Sequence, residues 1–229
     1  VKTRTFGGKK FKVDSLGFLL DFDQWDRVFV EGMASAVEIS GELTSSHWAV
    51  LDYIRGEFSQ KGRCPQVFHT SRACGLGLDQ LRDLFPTGYL RGACLLAGIP
   101  YERGFYGVAL PASLVARRPA FVEGKTYEID TGGFLVDPNS WDARFATLKA
   151  SEMKMPEGLT KRHWGIIHYL RDRWAKDHIA PNVYTTCKAC RLTLEELERL
   201  FPDGYQRGAI KIAGLRLTVR DKKKSSGKS

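Results

Sequence analysis

Apolar residues fall along this chain in short runs of helical period, punctuated by prolines and glycines, and the same runs occur twice. Trp25, Val28, Phe29 and Met33 lie three and four positions apart and predict a first helix. Trp48, Leu51 and Ile54 predict a second, with Thr44 placed as its N-cap. Pro65 restarts the chain after that helix, and a further helix ends at Phe85-Pro86, where proline blocks continuation. A last helix runs through Arg91-Gly92-Ala93 to Ala97-Gly98, with the glycine as its stop. Ahead of all these, residues 11–20 read as two short strands around a turn at Ser15–Gly17, a small hairpin.

Residues 8–101 and 124–217 align at a constant offset of 116 without a gap. Trp25-Asp26 returns as Trp141-Asp142, and Leu43-Thr44-x-x-His47-Trp48 as Leu159-Thr160-x-x-His163-Trp164. The string Leu84-Phe85-Pro86-x-Gly88-Tyr89-x-Arg91-Gly92-Ala93 returns as Leu200-Phe201-Pro202-x-Gly204-Tyr205-x-Arg207-Gly208-Ala209. In the second copy, Thr193 and Glu196 form a capping box that announces a helix. A period this long exceeds that of solenoid units, so each copy is expected to be a complete small domain. What both copies keep points to fold, and what only one keeps is a candidate for function.

The fold class is therefore mainly α, with a small N-terminal β-hairpin in each of two tandem orthogonal helical domains. The expected boundaries are domain 1 at 1–101, a linker at 102–123, domain 2 at 124–219 and a basic tail at 220–229. The linker centre, Ala109-Leu110-Pro111-Ala112-Ser113, is neither strongly polar nor of low complexity, so it is expected to pack on a domain surface. The two domains are expected to be related by a rotation and to share an apolar interface or linker contacts.

Composition narrows the class. With 43% hydrophobic and 27% charged residues the chain reads as an ordinary globular protein. No apolar run approaches the ~20 residues that span a bilayer, and Val1-Lys2-Thr3-Arg4-Thr5 offers no apolar leader core. Five cysteines divided unevenly between the copies argue against a disulfide framework, and a reducing cytoplasm is expected. The net charge is +9, but the tail from Arg220 to Ser229 holds five bases and one acid. That tail could contact nucleic acid or another anionic partner, and the body's remaining charge is unremarkable.

The repeated residues resemble the DsrC/TusE family of sulfur-relay proteins. The resemblance covers each copy almost entirely and is most specific at Gly92-Ala93-Cys94-x-x-Ala97-Gly98-Ile99-Pro100. It implies a carrier rather than a conventional enzyme; no cofactor or metal is expected. Its members hold sulfur on a cysteine of a C-terminal arm, and an upstream cysteine can resolve it as a disulfide. The partners implied are a dissimilatory sulfite reductase or a sulfurtransferase of a tRNA-thiolation relay. On this alignment the upstream cysteine is Cys94, and the arm-cysteine position is Phe105, which cannot carry sulfur. In the second copy these positions hold Ile210 and Asp221.

Cys94, Cys187 and Cys190 are thus the candidate sulfur or redox thiols. Cys94 reads either as an inherited redox thiol or as a small buried hydrophobe like its counterpart Ile210. Cys187-Lys188-Ala189-Cys190 is a C-x-x-C found only in copy two, where Lys188 and a helix start could depress a thiol pKa. No thioredoxin-like βαβ context surrounds it, and zinc would need two further ligands that the sequence does not offer at suitable spacing. Cys74 and Cys190 occupy equivalent positions and read as structural, and Cys64 reads as an incidental loop residue. His47 and His163 read as supports for a helix cap. Besides sulfur trafficking, the readings left open are a degenerate regulatory or interaction protein, a helix-turn-helix-like nucleic-acid binder, and a thiol oxidoreductase through Cys187 and Cys190.

Overall fold

The computed structural model describes residues 1–101, 118–122, 124–130, 132–153, 155 and 157–216. Strands β1 (Lys2–Phe6) and β2 (Lys9–Val13) form an antiparallel hairpin, with Phe6 opposite Lys9. The turn is Gly7-Gly8, with φ of 51° and 77°; two successive left-handed residues suit the two-residue turn that matches strand twist. The hairpin thus lies upstream of the one expected at 11–20. Phe11 and Val13 point into the core from β2, and the expected return leg contributes only a bridge from Val13 to Leu19. Asp14 shapes the Ser15–Gly17 turn, its carboxylate accepting from the amides of Leu16 and Phe18.

Four helices follow: α1 (Arg27–Ala34), α2 (Ser45–Lys61), α3 (Val67–Ala73) and α4 (Leu78–Leu84). Asp26 caps α1 by accepting from the amide of Phe29, so Trp25 lies ahead of the helix that its spacing suggested. Its indole instead donates to the Leu96 carbonyl at 2.7 Å. Arg55 of α2 lies over that indole, 4.1 Å from the ring centre, and donates to Ala97 O. The last helix of the copy opens as a π-helical turn, Tyr89–Cys94, before it closes at Gly98.

Copy two repeats this order with β3 (Arg118–Val122), β4 (Lys125–Ile129), α5 (Ala143–Glu152), α6 (Lys161–Asp177), α7 (Val183–Cys190) and α8 (Leu194–Leu200). Its π-helical turn is Tyr205–Ile210. Arg118–Val122 lies in the span assigned to the linker, yet it is the first strand of the second hairpin and pairs with Lys125–Ile129. The repeat itself explains this, because β3 is β1 at the same offset of 116. The expected packing of 109–113 and the tail at 220–229 lie outside the described residues.

The two copies meet through swapped equivalents. Helix α3 packs on α8, and α4 packs on α7, which is the pairing a two-fold relation produces. Gln66 lies against Gly204, and its counterpart Asn182 lies against Gly88. Gln66 Nε2 donates to Pro202 O at 2.9 Å, and Tyr184 Oη donates to Leu81 O at 3.2 Å. Most buried apolar residues of both copies join in one continuous cluster, and Tyr127, Leu135 and Phe145 form a small separate one in copy two. The duplication has built a pseudo-symmetric dimer within one chain.

Candidate thiol site

Cys94 closes the π-helical turn of copy one and is 0% exposed. Its Sγ lies 3.0 Å from the Sγ of Cys64, which is 1% exposed. Cys64 lies on a loop, as expected, but packs in the core beside Cys94. Gly62 ends α2 in a left-handed conformation, and the short connection to Gln66 turns Cys64 inward beneath the π-helical turn. Burial pushes the Cys94 thiol well up, and the hydrogen bond and charge of Cys64 add to this.

Tyr89 stands beside the pair. Its hydroxyl donates to Pro65 O at 3.0 Å and shares a hydrogen bond with Thr70 Oγ1 at 2.6 Å. Burial raises its pKa well above the ordinary phenol, and the charges of Cys94 and Cys64 contribute next. In copy two the same hydroxyl geometry survives, with Tyr205 on Pro181 O at 2.7 Å and on Thr186. The sulfur does not survive, since Ala180 and the buried Ile210 stand where copy one has Cys64 and Cys94. Both thiols are lost together, and that joint loss is the signal in the sequence that could have paired them.

The C-x-x-C lies on α7, with Cys187 in its interior and Cys190 at its end. Cys187 is 0% exposed, and its thiol is pushed up to about 12, mainly by burial and then by the charges of Cys190 and Glu196. The expected depression by Lys188 does not occur; desolvation outweighs any nearby cation. Half-buried Cys190 and its counterpart Cys74 are both raised by burial. Among the described residues no cluster of three His, Cys, Asp or Glu side chains could hold a metal ion. Phe105 and Asp221 lie outside the described residues.

The histidines serve the caps. His47 Nδ1 accepts from the Thr44 amide at 3.0 Å, which leaves Nε2–H to donate to Leu84 O at 3.0 Å. His163 repeats both contacts, to Thr160 and to Leu200 O. Each imidazole thereby ties the start of one helix to the end of another.

A small cavity of about 70 Å³, open to solvent, lies where the copies meet and is lined in part by Pro65, Tyr89, Arg91, Tyr205 and Arg207. Three buried polar atoms on its lining residues have no hydrogen-bond partner: Gln66 Oε1, Thr87 Oγ1 and Gln206 Nε2. Arg91 reaches across to Ala180 O at 3.3 Å, and Arg207 of copy two bears electrostatically on Cys94 of copy one. Sequence reasoning missed this cavity because it arises only when the two copies dock.

A family model described as DsrC like protein matches residues 5–104 and again residues 121–218. The chain belongs to this family. The gamma subunit of the dissimilatory-type sulfite reductase of Nitratidesulfovibrio vulgaris is 36% identical over 100 residues, covering 44% of this chain and 94% of that protein. The sulfurtransferase TusE of Escherichia coli is 31% identical over 105 residues, covering 43% and 94% respectively. The crystal structure of the oxidized gamma subunit of the Archaeoglobus fulgidus enzyme, DsrC, has a TM-score of 0.40 at 32% identity, covering 43% of this chain and 95% of that one. Each relative thus covers less than half of this chain, while nearly all of its own length is matched. No described helix is long and apolar enough to cross a membrane.

Proposed function

We propose that this protein is a tandem sulfur-trafficking protein of the DsrC/TusE kind, a carrier that docks on a sulfite reductase-like enzyme or a sulfurtransferase. The observation that carries this reading is Cys94. It occupies the position of the family's upstream cysteine and lies 3.0 Å from a second thiol, so the described residues of copy one hold a two-thiol site. The second copy supports the reading by contrast, since it keeps the scaffold and replaces both thiols. In this reading copy one carries the chemistry, and copy two supplies interface and rigidity.

A second reading rests on the burial of the same thiols. Cys94 and Cys187 are both fully covered, as expected of a binding module that keeps the family's surface without its sulfur chemistry. The experiment that tests docking is binding of the full chain to a purified dissimilatory sulfite reductase and to a persulfide-bearing sulfurtransferase. Saturable binding to either supports both readings, and binding to neither removes them together. Sulfur mapping then separates the carrier from the binding module.

A further inference from the structure

Copy one contains a second thiol that the family resemblance does not account for, and it lies against the one that the resemblance does. We propose that Cys64 and Cys94 are a redox-active dithiol, closed to an intramolecular disulfide by a small anionic disulfide that docks at the mouth of the cavity between the copies. The site is independent of whether Cys94 ever carries sulfur, so it stands or falls separately from the relay reading.

The geometry sets the order of events. Cys64 lies on the short connection between α2 and α3, and the next residue, Pro65, lines the cavity. Cys94 is held in a helical turn behind Tyr89, which lines the same cavity. Neither sulfur lines the cavity, and Cys64, on a connection rather than in a helical turn, is the thiol that opening of this connection would bring to the incoming disulfide. Its thiolate attacks one sulfur of R–S–S–R, forming Cys64–S–S–R and releasing one thiolate, RS⁻. Cys94, giving up its proton, then attacks the Cys64 sulfur and displaces the second RS⁻. Two cysteine thiols are oxidised, one external disulfide is reduced, and both leaving groups end as RSH.

The cavity also indicates the kind of disulfide. Arg91 and Arg207 line it, against a single acidic side chain, Asp203, so its charge favours an anion. A small disulfide bearing carboxylates fits this charge. Copy two shows that the fold accepts an apolar pair here, because Ala180 and Ile210 stand in the equivalent places.

The test uses the full reduced chain, exposed to oxidised glutathione or to cystamine, then acid-quenched, alkylated under denaturing conditions and peptide-mapped. The wild-type chain is expected to lose two hydrogen atoms and to yield a linked peptide joining Cys64 to Cys94. Oxidised glutathione should act severalfold faster than the dicationic cystamine, and R207Q should remove most of that difference. The C64A variant, which copies the residue of copy two, should give no such link while circular dichroism shows it folded. The proposal is overturned if Cys64 and Cys94 remain fully alkylated in the folded wild-type chain. It is equally overturned if the only linked peptide joins Cys187 to Cys190, or if cystamine closes the pair as fast as glutathione disulfide.

Discussion

Gln66 of copy one lies so close to Gly204 of copy two that a Cβ on the glycine would come within 2.9 Å of the glutamine's Cδ and Oε1. The relation is reciprocal, because a Cβ on Gly88 would meet Asn182 Cβ at the same distance. Both glycines have positive φ, 107° for Gly88 and 80° for Gly204, so an alanine would be strained as well as crowded. We expect G88A and G204A each to lower unfolding free energy by about 1–3 kcal/mol. Denaturant unfolding checks this, and a neutral result at both sites would mean that the copies do not dock as described.

Trp25 and Gly98 make a second such contact inside copy one. A Cβ on Gly98 would fall 2.5 Å from the indole Cδ1, and the same distance separates Gly214 from Trp141. The indoles cannot withdraw without losing their hydrogen bonds to Leu96 O and Ile212 O. G98A and G214A should each cost about 2 kcal/mol or more, combining backbone strain with the steric clash. Thermal unfolding of each variant measures it.

His47 predicts a pH dependence of stability. Burial lowers its pKa below the ordinary 6.5, opposed by the hydrogen bond to Leu84. The neutral ring accepts from Thr44 N–H, and protonating Nδ1 breaks that contact. The unfolded chain therefore takes up the proton first as pH falls. The contribution of His47 is fully present above pH 6.5 and declines as pH drops from there through the lowered folded value. H47Q should flatten that part of a curve of unfolding midpoint against pH. An unchanged slope would contradict the cap geometry.

Thiol reactivity should follow burial. With Cys187 pushed up to about 12 from the ordinary 9.0, its thiolate fraction at neutral pH is about a thousandfold lower than that of an unperturbed cysteine. Iodoacetamide at neutral pH should therefore label half-buried Cys74 and Cys190 before Cys187 and Cys94. Time-resolved peptide mapping gives the order, and early labelling of Cys187 would contradict its described environment.

Much of the fold was legible because its signals are local or repeated. The constant offset fixed the duplication, and Thr193 with Glu196 marked a helix start that the structure keeps, with both capping hydrogen bonds. The hairpin was misplaced because the alternation of Phe11 and Val13 shows which side is buried but not where the partner strand lies. Gly7-Gly8 was the missing turn, and reading it would also have moved the start of copy two to Arg118. Cys94 was singled out by resemblance alone. Its neighbour Cys64, 30 residues away in sequence, could be paired with it only through the fold. The cavity was illegible for a related reason, since Arg91 and Arg207 come together only through the docking of the copies.

The measurement that tests the carrier reading most directly is sulfur mapping on the intact chain. The reduced protein would be exposed to a persulfide donor at neutral and at raised pH, then mapped peptide by peptide for an added sulfur atom. The account predicts sulfur on Cys94, captured faster as pH rises because burial holds its thiol protonated. If no cysteine gains sulfur, while a folded variant with all five cysteines changed to serine still binds the partner enzyme, the carrier reading is contradicted and the protein is a binding module.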